Sequence, residues 1–300
     1  MLKTVLLLPA LFFLVWQSSV RAEAAGDGFI DPGVFKKTLG QLEIYALSDS
    51  RGRLDFSIML GISKDQIKSL IGQNPELDDN SVASYINAFL VKCPAGLILV
   101  DTGLGNGDIL KDAIIKASFK PEDVTDVILT HFHGDHINGL LTGTKPLFPN
   151  ATVWAEKEED TYWLKQGAGN RGRSAEEKIF PYRRDGKYKL FAAGDEIKPG
   201  VLTVPLYGHT PGHTGFLFKS GTDEDLLTWG DIVHAYLVQF AEPKVSMTYD
   251  VDPEEAAKTR TGIMQKSAEA GCLVGGAHLP FPGLGHVKVK DSAFSWEKEQ

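Results

Sequence analysis

Six consecutive positions, His131-Phe132-His133-Gly134-Asp135-His136, carry three imidazoles and a carboxylate in a sequence of 300 residues with only eight histidines. Imidazole nitrogens and carboxylate oxygens are the donors that borderline divalent cations take, about four to an ion. Side chains two apart in a turning loop can converge, so His131 and His133 aim at one cation while Asp135 and His136 aim at a second. Neither pair closes a coordination shell. The remaining donors must come from distant parts of the chain.

Those donors are present at long range: His213 in GHTPGHT (208–214), Asp231 in LLTWGD (226–231) and His278 in CLVGGAHLP (272–280). His131, His133 and His213 then hold one ion, Asp135, His136 and His278 the other, and Asp231 bridges the two. Nitrogen and oxygen donors without cysteine suit Zn²⁺, and the same set accepts Mn²⁺, Co²⁺ or Fe. His209 competes with His213 for one place. The Pro211-Gly212 turn just before His213 favours His213, because a turn there can aim the side chain back at a strand edge. His209 then stands behind the donors, with Asp101 of LILVDTG, which can accept the outer N–H of a ligand imidazole. His234 and His286 read as ordinary core or surface histidines.

Two adjacent cations imply hydrolysis. A water between them ionises near neutral pH, against a pKa of ~15.7 in bulk. That bridging hydroxide attacks a carbonyl carbon or phosphorus, the cations polarise the C=O or P=O, and Asp135 or Asp231 carries the proton to the leaving group. From a different class, the same residues could serve a non-catalytic metal-binding protein.

Every donor stands just after an apolar, strand-like run: DVILT (126–130), VLTVPLY (201–207), DLLTW (225–229) and CLV (272–274). If these strands share a sheet and a direction, their ends share an edge, which is where α/β architectures gather functional groups. Two hairpins are expected, INAFLVKC with LILVD around Pro94-Ala95-Gly96, and residues 215–229 around Ser220-Gly221-Thr222-Asp223. KEEDTYWLK (157–165) is helical in composition. DPEEAAKTRTGIMQKSAEAG (252–271) reads as a helix with Asp252 as N-cap, Pro253 at the first position, Glu255 closing a capping box and Gly271 just past the end. Residues 165–187, basic and rich in Gly and Pro, read either as a solvated surface loop or as a lid on the pocket.

Composition sets further bounds. The formal charge is −8 with a pI near 5.5, which argues against a nucleic-acid partner, since binding a polyanion normally needs a basic face. Lys3 followed by an apolar stretch from Val5 to Trp16 has the layout of a secretory signal peptide, residues 1–22, with small-x-small sites at Val20-Arg21-Ala22 and Ala22-Glu23-Ala24. The run is too short for a span of ~20 residues, so no stable membrane anchor is expected. Residues 23–300 then form one exported domain, periplasmic or secreted, with a homodimer as an open state. Cys93 and Cys272 read as buried free thiols.

Together, H-x-H-x-D-H at 131–136, DTG at 101–103, GHTPGHT, Gly230-Asp231 and His278 resemble the metallo-β-lactamase-fold hydrolases, over roughly residues 40 to 290. The resemblance implies an α/β (α+β) chain folded as a four-layer αββα sandwich with a binuclear site at one edge. ALSD, LFPNATV, VQF and AHLPFPGLGH look most like the methyl parathion hydrolase branch. That likeness implies an exported, dizinc-type hydrolase of phosphotriester, aryl ester or lactone substrates. It places Trp163 in the leaving-group pocket; Phe281, Phe180 and Tyr182 are further aromatic candidates for the pocket that the likeness does not itself place. An acyl-homoserine lactone lactonase, or another esterase or thioesterase of this fold, is the enzymatic alternative. True β-lactamases of this fold lack a bridging carboxylate at the position of Asp231, which counts against lactam hydrolysis.

Overall fold

A computed structural model describes residues 28–31, 33–165, 169–291 and 293–300. The expected signal peptide and its cleavage sites lie outside these residues. Among the described residues, no helix is long and apolar enough to cross a membrane.

The strand Ser81–Cys93 shows how the layers arise. Its side chains alternate: Ala88 and Leu90 enter one apolar cluster, Phe89 and Val91 another. A strand with a period of two and apolar residues at both phases must be covered on both faces. The cluster on the Phe89 face also contains Phe35, Ile44 and Val100 together with Phe216, Phe218, Leu226 and Leu273, so it lies between two sheets. Each such large side chain adds ~1.5–3 kcal/mol of burial. The Leu90 face is covered by the helices Ile109–Lys116, through Leu110 and Ile114, and Gly169–Arg184, through Ala175, Ile179 and Tyr182. Ile263 and Met264 of the helix Pro253–Ala270 cover the far face of the second sheet, against Trp229, Val274 and Val287. The result is the four-layer αββα sandwich.

The first sheet has eight described strands, antiparallel from Gly28–Asp31 to Gly96–Val100, then parallel through Asp126–Ile128, Thr152–Glu156 and Tyr188–Phe191. The second has seven, including Val201–Pro205, Thr214–Phe218, Leu226–Thr228 and Leu273–Gly275. Both expected hairpins form. One expectation needs correction: the strands feeding the site do not share a sheet. Asp126–Ile128 belongs to the first, whereas Val201–Pro205, Leu226–Thr228 and Leu273–Gly275 belong to the second. The donors meet because the facing sheets end at a common edge.

Helix Pro253–Ala270 begins and ends as expected: Asp252 accepts from Glu255 N at 3.0 Å, and Gly271 terminates it at φ +62°. The expected capping box does not close, because the Glu255 carboxylate pairs with Lys258 at 3.1 Å. KEEDTYWLK forms a short α-helix, Lys157–Asp160, running into a π-helical turn, Thr161–Lys165. Residues 165–187, expected to be a solvated loop or a pocket-lining lid, contain the 16-residue helix Gly169–Arg184, despite Pro181 within it, and Arg171, Ser174 and Ala175 of this helix do line the cleft beside the donors. The buried stripe Ala175, Ile179 and Tyr182 repeats at helical spacing, and docking that stripe outweighs the weak local propensity. Both cysteines are free. Cys272 is buried as expected, whereas Cys93 is only half-buried.

Candidate metal centre

At the shared edge two groups of donors form, His131, His133, His209 and Asp231 in one and Asp135, His136, Asp231 and His278 in the other, with the donor atoms of each group within 4.8 Å of one another. Asp231 belongs to both. Its Oδ2 lies 3.3 Å from His209 Nε2, 3.6 Å from His131 Nε2 and 3.1 Å from His278 Nε2, while His136 Nε2 is 3.1 Å from Oδ1. Asp135 Oδ2 stands 3.6 Å from His136 Nε2 and 3.5 Å from His278 Nε2.

The outer nitrogen of most of these rings is held by a buried oxygen. His136 Nδ1 pairs with Asp101 Oδ2 at 2.8 Å, His278 Nδ1 donates to Tyr85 O at 2.6 Å, His131 Nδ1 contacts Thr130 Oγ1 at 3.0 Å, and His209 Nδ1 pairs with Asp250 Oδ1 at 2.7 Å. Such partners fix tautomer and orientation and make the inner nitrogen a better donor. Asp101 adopts φ +59°, a conformation that Asp tolerates better than most residues, and also accepts from Thr130 N and Oγ1.

The structure exchanges the roles expected of His209 and His213. His213 Nδ1 donates to Leu206 O at 2.8 Å, and its Nε2 accepts from Asp231 N at 3.0 Å. Both ring nitrogens are therefore occupied by backbone, and His213 offers no free lone pair. It supports the turn that presents Asp231. Gly230 makes this approach feasible: it adopts φ +55°, and a Cβ there would lie 2.5 Å from His213 Nε2. His209 instead points its Nε2 at His131 Nε2, 3.2 Å away, and at His133 Nδ1, 2.9 Å away.

Two buried atoms at the centre, His136 Nε2 and Asp231 Oδ1, have no hydrogen-bond partner, although they lie 3.1 Å apart, and a third buried atom of a donor ring, His133 Nε2, has none either. An unpaired buried polar atom costs ~1–3 kcal/mol, so a cluster of them around converging nitrogens and carboxylates fits divalent cations. The electrostatics show the same crowding. Burial pushes the Asp231 carboxyl up, but His136, His278, His131 and His234 outweigh it and hold the group well below the carboxylate range. Burial lowers His131 far below the usual histidine value, with His136 adding to the effect, and takes His213 down to about 3. His209 is opposed by burial yet lifted to about 9 by Asp231 and Asp250.

Beside the donors lies a cleft of about 520 Å³, lined among others by His133, Asp135, Asp231 and His278 on its floor and by Arg53, Leu54, Ile86, Leu104, Phe132 and Arg171 on its walls. Trp163 and Phe281 are not on it. Trp163 is buried, its indole donates to Glu159 Oε1 at 2.6 Å, and its ring meets His133 edge-on at 5.5 Å. Phe281 packs against the core between the sheets. Phe180 is half exposed on the outside of its helix, and Tyr182 is buried with its hydroxyl on Leu140 O.

His234, read from sequence as ordinary, belongs to the site. Its Nε2 lies 3.1 Å from Asp231 Oδ2, its ring stacks on His278 at 5.0 Å, and its buried Nδ1 has no partner. Burial brings it down to about 4 against the pull of Asp231. Its position three residues after Asp231 was the available signal. Asp250 and Tyr249, which faces His234 at 5.1 Å, carried no motif. His286 does stand apart, paired with Glu224 at 2.7 Å.

The model of the metallo-beta-lactamase superfamily matches residues 82–278, more than half of the chain. Among curated proteins, a probable metallo-hydrolase of Mycobacterium tuberculosis is 27% identical over 212 residues, 57% of this chain and 65% of that protein. An N-acyl homoserine lactonase of Bacillus cereus is 28% identical over 158 residues, 44% of this chain and 57% of the lactonase. The match thus spans less than two thirds of these relatives' own length. Among solved structures, the hydrolase AbOPH of the beta lactamase superfamily superposes with a TM-score of 0.85 at 29% identity, covering 89% of this chain and 98% of that one. AidC, a dizinc quorum-quenching lactonase solved with the product N-hexanoyl-L-homoserine, gives 0.80 at 28% identity with the same coverage. The family match takes in the whole run from Asp101 to His278 that builds the donor cluster, and the chain belongs to the metallo-beta-lactamase superfamily.

Proposed function

We propose that the chain is a binuclear metal-dependent hydrolase of ester-type bonds, acting on lactones, aryl esters or phosphotriesters. The observation that carries this reading is Asp231, a single buried carboxylate that reaches both donor groups. With two divalent cations bound, Zn²⁺ foremost, the site would gain Lewis-acid polarisation of a C=O or P=O and a water that ionises near neutral pH.

The chain's own residues supply the rest. The anchored imidazoles and Asp231 are preorganised, so little rearrangement opposes charge development at the reacting centre. Asp135 is the more exposed of the two donor carboxylates and opens onto the cleft beside His278. It is placed to take up a proton there and return it to a departing alkoxide or phenoxide. Tyr249 lines the same floor and offers its hydroxyl to the substrate's carbonyl or phosphoryl end. Leu54, Ile86, Leu104 and Phe132 suit an acyl chain or an aryl ring.

The N-acyl homoserine lactonases among the relatives, and the lactonase among the structural neighbours, support the lactone side. The phosphotriester side rests on the sequence likeness to the methyl parathion hydrolase branch. Metal-loaded protein assayed on an N-acyl homoserine lactone, an aryl acetate and an aryl phosphotriester tests the reading. Turnover of any of the three that a chelator abolishes and Zn²⁺ restores is the expected result. Silence across the panel from a fully metallated protein would sink it in favour of metal storage. Export guided by residues 1–22 is part of the same proposal, and the mature amino terminus in a cell fraction decides it.

A further inference from the structure

Glu159 is fully buried and belongs to neither donor group. Its Oε1 accepts from Phe132 N at 2.8 Å and from Trp163 Nε1 at 2.6 Å. Its Oε2 accepts from Thr210 Oγ1 at 2.7 Å and from Gly212 N at 3.0 Å. Phe132 separates His131 from His133, and Thr210 follows His209. One carboxylate therefore ties together the two segments that deliver all three imidazoles of the first donor group, each segment through its own oxygen. The contact is close: a Cβ on Gly212 would lie 2.3 Å from Glu159 N, so the second segment seats on Glu159 only because residue 212 is glycine. Trp163, bonded to the same oxygen as Phe132 N, also braces the His133 ring edge-on.

We propose that Glu159 is a positioning residue that sets the spacing of His131 and His133 against His209, and so the affinity and geometry of the cation these three share with Asp231. The inference rests on the metal-centre reading above. Burying a carboxylate is costly unless its charge is well solvated by donors, and here two N–H groups of the backbone, an indole and a hydroxyl converge on it. An amide could not replace it without loss. Glutamine has one acceptor oxygen, so its NH₂ would face either Phe132 N–H and the indole, or Gly212 N–H, donor against donor.

Glu159→Gln and Thr210→Val are compared with the wild type by equilibrium metal titration, by metal content, by the visible spectrum of Co²⁺-loaded protein, and by urea unfolding of the metal-free protein. Glu159→Gln is expected to weaken one ion about 10- to 100-fold and to shift the Co²⁺ bands. Thr210→Val is expected to weaken the same ion by a smaller factor. A merely structural tie would lower the unfolding midpoint while leaving affinity and spectrum at wild-type values, and that result overturns the proposal. Should Glu159→Gln fail to fold, Thr210→Val decides alone: unchanged affinity there overturns the proposal, and weakened affinity supports it. A wild type that binds one ion would sink the binuclear reading only, since the variants still report on that ion. A wild type that binds none removes both.

Discussion

Beneath the cleft, His131, His136 and His209, together with His278 on its floor, each have the outer ring nitrogen held by a buried oxygen, and Asp231 sits among them at 3% side-chain exposure. On the wall, Arg53 pairs with the half-exposed Asp78, and Arg171 and Ser174 stand on the exposed side of a helix. Exposed ion pairs contribute ~0–1 kcal/mol, whereas breaking a buried charged network leaves partners unpaired at several times that cost. The two regions therefore respond differently to change. On the proposed function, floor residues are expected to set whether hydrolysis occurs and wall residues which substrate is held.

The sharpest way to break this contrast is at Asp231. Asp231→Asn keeps the shape but halves the acceptor capacity of the one group common to both donor sets. Activity is expected to fall roughly a thousandfold, about 4 kcal/mol of transition-state stabilisation, with less than two metal equivalents retained. Near-normal kcat with full metal content would remove Asp231 from its bridging place.

Next comes the pair His209 and His213. His209→Ala should cost metal outright, because it deletes a donor. His213→Ala should leave the donors in place but orphan the Asp231 N–H and the Leu206 carbonyl, costing ~1–3 kcal/mol of stability. Metal analysis alongside thermal unfolding separates the two. Equal metal loss in both variants would contradict the exchange of roles.

A smaller effect is expected from Asp250→Asn, which keeps a hydrogen bond to His209 but removes the charge behind it, for a loss of about 10- to 100-fold in metal affinity. The smallest belongs to the wall. Arg171→Ala should change KM by less than about tenfold, with kcat and metal content unaltered, since among the described residues it has no buried hydrogen-bond or ion-pair partner. A loss of metal affinity in Arg171→Ala as large as that of Asp250→Asn would erase the distinction between floor and wall.

How far the site could be read in advance follows the same division. H-x-H-x-D-H was legible because its geometry is local: a turning loop suffices to point the side chains. His278 and Asp231 were legible because each follows an apolar run, although the runs turned out to belong to two facing sheets. The choice between His209 and His213 was not, since it depends on which ring nitrogens meet backbone, a matter of tertiary contact. His234 is a lone histidine that only the packing of Asp231 and His278 brings inward. Trp163, carried over by family likeness, and Phe281, a candidate by its aromatic side chain, lie behind the cleft surface rather than on it. The helix 169–184 was hidden by Gly and Pro that its docked apolar stripe overrides.

Metal content joined to location bears most directly on the whole account. A crystal of zinc-loaded protein, measured at the zinc absorption edge, should show two ions per chain: one on His131, His133 and His209, one on Asp135, His136 and His278, and Asp231 in contact with both. A single ion, or His213 in place of His209 beside it, would contradict the account.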